Sequence, residues 1–94
     1  MNAQNIINRL TAHILSYDEN LEAVANVVRQ HSFLTLRVPL EKLGIGKVSM
    51  MDSGDCMMWK IQTRRGKIGI VSRRCADTVS RDDIIVGNFV VGYL

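Results

Sequence analysis

Proline occurs once in the 94 residues, at Pro39, and the hydrophobic fraction is 47% with a mean hydropathy of +0.06. These values exclude disordered and collagen-like classes and call for a compact core. Long apolar runs are missing as well. The most apolar stretch, Ile84 to Leu94, is interrupted by Gly87, Asn88 and Gly92 and falls short of the roughly 18 residues that span a bilayer, so no membrane partner is expected. Residues Met1 to Leu15 show neither a charged leader ahead of an apolar stretch nor a small-residue cleavage site. Cysteine is scarce too: Cys56 and Cys75, with 18 residues between them, are too few for a disulfide framework and lack the close spacing of a zinc site. Reduced thiols and a cytoplasmic location are the expectation. At this length one domain, residues 1–94, is expected, with a helical region over 1–32 and a β region over 33–94.

The chemistry that an enzyme needs is equally thin. Nothing in the spacing forces Cys56 or Cys75 against His13 or His31, as nucleophilic catalysis or metal binding would require. Gly44, Gly46, Gly66 and Gly69 do not form a phosphate loop, because Gly46-Lys47 runs on into Val48 and a strand pattern. Asp82 and Asp83 are adjacent, and neighbouring side chains on a strand point apart, so a capping or gatekeeping role fits them better than cation binding. The sequence reads as a non-enzyme without cofactor, catalytic residue or metal site.

What the chain does have is segregated charge. Its net charge is +3, yet residues 56–74 hold Lys60, Arg64, Arg65, Lys67, Arg73 and Arg74 with no acidic residue. A local run of one sign points to an interaction patch rather than a uniformly cationic surface.

Hydrophobic periodicity gives the architecture. Ala3, Ile6, Ile7, Leu10, Ile14 and Tyr17 recur at helical steps, and Leu21, Val24, Ala25 and Val28 repeat the pattern. Between them, Ser16 to Glu19 has the form of a capping box, and Asp18 is an alternative N-cap. No glycine or proline separates the two stretches, so one bent helix competes with a helical pair. From Phe33 the period changes to two. Leu34, Leu36 and Val38 predict a strand ended by Pro39, followed by strands over 47–51, 56–63, 67–72 and 84–93, with turns at Asp52 to Asp55 and Arg64 to Gly66. Trp59, Ile61 and Thr63 share one face, and a lone Trp there is read first as core. The fold class is α+β: an N-terminal helical pair followed by a five-stranded antiparallel sheet, curled or closed into a small barrel.

The hairpin carries a likeness to a known family. Met58-Trp59-Lys60-Ile61, the turn Arg64-Arg65-Gly66 and Lys67-Ile68-Gly69-Ile70-Val71-Ser72 resemble the final hairpin of Src-homology-3-like domains of the bacterial type, and Asp52 to Asp55 stands where that family places an acidic turn. The likeness is closest over residues 58–72 and looser over 34–79, and it implies a Src-homology-3-like barrel. The family's peptide groove is not implied. Its aromatic platform is replaced here by Ile70 and Cys75, and the chain has one Trp, two Tyr and two Phe in all.

Charge and pattern together predict a non-catalytic binding or regulatory module. Lys60, Arg64, Arg65, Lys67, Arg73 and Arg74 would dock an acidic protein surface; the alternative is a small nucleic-acid-binding regulator that places the same residues on phosphates. The uncharged, β-prone C-terminal strand and the N-terminal helices also offer routes to a homo-oligomer.

Overall fold

The computed structural model describes residues 18–94. The first of the two expected helices, over residues 3–17, lies outside that range, as do His13 and Ser16. Helix α1 (Glu19–Gln30) begins at Asp18, which is extended and accepts a hydrogen bond from the Leu21 N–H at 3.0 Å through its carboxylate. Of the two start signals read from the sequence, Asp18 is therefore the cap. Glu19 and Glu22 lie in the first turn and Arg29 in the last, each favourable to the helix dipole. Leu21, Val24, Ala25 and Val28 are buried.

The segment from Phe33 is helical rather than a strand. A 3-10 turn (Phe33–Thr35) leads into helix α2 (Arg37–Lys42). Pro39 is no stop signal here, because it sits in the first turn, where an N–H would find no partner in the helix. The period that operates is four: Leu36 and Leu40 are buried and joined by a backbone hydrogen bond of 2.9 Å, while Leu34 and Val38 are 72% and 59% exposed. The β region accordingly starts at Lys47.

Five strands follow: β1 (Lys47–Ser53), β2 (Cys56–Thr63), β3 (Gly66–Ser72), β4 (Ile84–Val86) and β5 (Phe89–Tyr93), in the order β1-β2-β3-β5-β4 and antiparallel throughout. The strand count agrees with expectation for a compensating pair of reasons. One predicted strand became helix, and the closing strand divides in two at Gly87-Asn88, where Gly87 at φ +59° turns the chain so that Val86 pairs with Phe89. The sheet is open, with β1 and β4 as its edges. Of the two strands into which the 84–93 segment divides, β5 is bonded on both sides, while the three-residue β4 lies at the edge of the sheet.

One face of the sheet packs under the helices. Val48, Trp59, Ile61, Ile68, Ile70 and Val91 from the sheet meet Leu21, Val24, Val28, Leu36 and Leu40 in a single core. Burying each large apolar side chain contributes about 1.5–3 kcal/mol. Trp59 is a core residue, 4% exposed, with its indole Nε1 donating to the Phe33 carbonyl at 2.7 Å. Phe33 stacks on Phe89 at 5.0 Å, and the Arg37 guanidinium lies 5.2 Å from the indole centroid.

Candidate functional site

Strand alternation sends every second side chain to the face away from the helices. With Trp59, Ile61 and Thr63 in or toward the core, Met58, Lys60 and Gln62 project from the outer face, as do Ser49 and Lys47 in β1 and Lys67, Gly69 and Val71 in β3. The register then brings three strands' polar residues into line. Gln62 is paired with Lys47 on one side and with Lys67 on the other, and Lys60 stands diagonally from Lys67. Arg64 and Arg65 form the two-residue turn between the paired Thr63 and Gly66, and both are exposed.

The turn is held stiffly. Thr63 is buried, its hydroxyl donates to the Gly66 carbonyl at 2.8 Å, and the same oxygen accepts from the Arg65 N–H at 3.1 Å. A hairpin tip fixed in this way holds the backbone that carries Arg64 and Arg65 in a defined place, with less backbone entropy to lose on binding.

Four cations therefore share one end of the sheet, Lys47, Arg64, Arg65 and Lys67, and Lys60 extends the group along the same face toward mid-strand. Arg73 and Arg74 do not join them. They lie in a 3-10 turn beyond the other end of β3, beside Asn88, whose carbonyl accepts from the Arg73 N–H at 2.7 Å. Six strand steps separate Gly66 from Ser72, about 20 Å of extended chain. That is about twice the Debye length at 0.1 M salt, so Arg64, Arg65 and Lys67 act independently of the arginine pair, while Lys60, opposite Gly69, stands midway between the two ends. The six-residue grouping read from the sequence thus divides into a tip cluster and a separate arginine pair. Lys47 was missed because it is distant in sequence, and the signal that places it is the β1–β2 register.

One tip cation has an internal partner. Arg65 lies 3.5 Å from the Asp18 carboxylate but stays 67% exposed. Such an ion pair contributes no more than about 1 kcal/mol and leaves the charge available. Asp18 also lies beside the buried Tyr93 hydroxyl, which closes no hydrogen bond of standard geometry among the described residues. Burial alone would raise the Asp18 pKa, but the Leu21 N–H, the Tyr93 hydroxyl and the Arg65 charge outweigh it and hold the carboxyl below its ordinary 3.8. Burial, followed by the nearby carboxylate, raises the Tyr93 pKa. Because the folded pKa of Asp18 is depressed, its contribution is present above pH 3.8 and lost as the pH falls through the lower folded value. The Asp18→Ala variant is expected to lose about 1 kcal/mol at neutral pH and to lose less stability on acidification than the parent. Urea denaturation at a series of pH values checks both; an unchanged acid limb would show that Asp18 is not capping.

Cys56 and Cys75 are joined in a disulfide, with their Cα atoms 6.0 Å apart. This overturns the expectation of reduced thiols, and with it the chemical ground for a cytoplasmic location. The reason is topological: β2 and β3 run antiparallel, so the start of β2 and the turn after β3 meet although they are far apart in sequence. The bridge ties the segment after β3 to the outer face, where it walls a groove of about 380 Å³ floored by the paired Gly69 and Gly92 and lined by Met58, Val90 and Asp83. The Asp83 carboxylate sits over Gly92, where a Cβ would force it to shift.

Among the described residues no group of His, Cys, Asp and Glu is placed to hold a metal ion, and no helix is long and apolar enough to cross a membrane. Comparison with protein-family models, curated proteins and solved structures found no match to this chain.

Proposed function

We propose that this protein is a non-catalytic binding module that docks an acidic protein partner on the end of its sheet formed by Lys47, Lys60, Arg64, Arg65 and Lys67. The observation that carries the reading is that register, not sequence proximity alone, assembles these cations around a braced turn, with Asp18 the one carboxylate paired to them among the described residues. Surface solubility alone would not require that convergence.

A protein partner is favoured over single-stranded nucleic acid by where the aromatics among the described residues lie. Base stacking needs exposed rings beside the cations. Trp59, Phe33, Phe89 and Tyr93 are buried or half-buried, and the strand-borne ones face the helices rather than the lysine row. The β2–β3 hairpin, Src-homology-3-like in its sequence, is set in an open sheet and used at its tip rather than through an aromatic peptide groove. Alkylation without prior reduction in the source cells reads the compartment directly, since a formed bridge leaves neither cysteine to label.

Titration with a glutamate-rich peptide and with duplex DNA over a range of salt tests the reading. Binding of the peptide at about 50 mM salt, at least about tenfold tighter than that of the duplex, is expected. Tighter binding of the duplex with a steep salt slope would instead establish the phosphate-binding regulator.

A further inference from the structure

The open sheet leaves a second feature next to the tip cluster. Ser53 and Cys56 close a two-residue hairpin turn, and such closing pairs exchange backbone hydrogen bonds. Alternation along the ladder makes Met51 with Met58, Ser49 with Lys60 and Lys47 with Gln62 the other bonded pairs. The N–H and C=O groups of Val48, Met50 and Asp52 therefore point away from β2. Among the described residues none of them is bonded elsewhere. A seven-residue edge of this kind is a template for one more strand.

We infer that the acidic partner binds as an extended segment that adds to the free edge of β1. The inference rests on the proposed function and specifies how that surface is used. Charge decides the occupant and its polarity. The edge begins at Lys47, beside Lys60, Arg64, Arg65 and Lys67, and ends toward Asp52 and Asp55. The fitting segment is acidic in the half that lies along Lys47 and apolar or neutral in the half that passes Met50 and the exposed Met51. Backbone bonds to Val48 and Met50 would supply affinity, and the cations would set direction. A second copy pairing edge to edge would bring only Asp52 and Asp55 to each tip, leaving most of its charge uncompensated.

The probe is a synthetic peptide of about nine residues, a Thr-Val half followed by a Glu-rich half, which suits antiparallel addition over the length of β1. Its control carries N-methyl groups on alternate backbone amides, keeping the charge but removing the donors. Calorimetric titration is expected to show binding that weakens about tenfold or more with the methylated peptide and equally with Met50→Pro, whose lost N–H faces outward and not toward β2. Equal binding of the two peptides would overturn strand addition while leaving charge-driven docking intact. Failure of both peptides to bind at low salt would remove strand addition and charge-driven docking together. A dimer that Met50→Pro dissolves in sedimentation experiments would assign the edge to a second copy and overturn the inference.

Discussion

Replacing Leu36 or Leu40 by alanine is expected to destabilise the protein by about 2–5 kcal/mol, while the same change at Leu34 or Val38 stays within about 0.5 kcal/mol. The contrast follows from burial. Leu36 and Leu40 have no solvent-exposed surface worth mentioning and lie in the core, where truncation leaves a cavity, whereas Leu34 and Val38 project into solvent. The four substitutions also separate two local structures. A strand through Phe33 to Val38 would place Leu34, Leu36 and Val38 on one face with comparable costs; the helical segment couples Leu36 with Leu40 and releases the others. Urea denaturation of the four variants decides between them. Similar losses at Leu34 and Leu36 would contradict the helix.

The second large effect is at the disulfide. Reduction, or the double change Cys56→Ser with Cys75→Ser, is expected to lower stability by about 3 kcal/mol, the chain-entropy cost of releasing a loop of this size in the unfolded state. Against a total of about 5–15 kcal/mol for a small domain that is a substantial share. The bridge also holds the segment that walls the outer-face groove, so its loss should speed amide exchange from Arg73 to Asp83 before it affects Trp59 or Ile61. Denaturation with and without reductant, paired with hydrogen exchange, reads both consequences. Equal stability in the two conditions would show that the bridge contributes nothing to the fold.

These two sites mark where the sequence is informative and where it is not. The β2–β3 hairpin is legible because alternation, turn residues and the paired apolar faces all agree, and its observed bounds differ from expectation by one residue at Gly66. Helix α1 is legible for the same reason, with Asp18, Glu19 and Leu21 acting in concert. Phe33 to Val38 misleads because Leu34, Leu36 and Val38 alternate in sequence while only Leu36 reaches the core; tertiary burial of Leu40 decides the period. The cysteine bridge and Lys47 share a different cause. Both depend on which residues the antiparallel register brings face to face, and no local pattern carries that information. The arginine pair at Arg73 and Arg74 is the converse case, near the hairpin in sequence and separated from its tip by the length of β3.

The central claim is that the tip cluster, and not the arginine pair, forms the docking surface. It is tested most directly by titrating the glutamate-rich peptide, at about 50 mM salt, into two charge-reversed proteins that differ only in which end of β3 is altered. Arg64→Glu with Lys67→Glu is expected to weaken binding by about tenfold or more, whereas Arg73→Glu with Arg74→Glu leaves it within about twofold. Equal losses in the two proteins, or a loss confined to the Arg73 and Arg74 pair, would contradict the account.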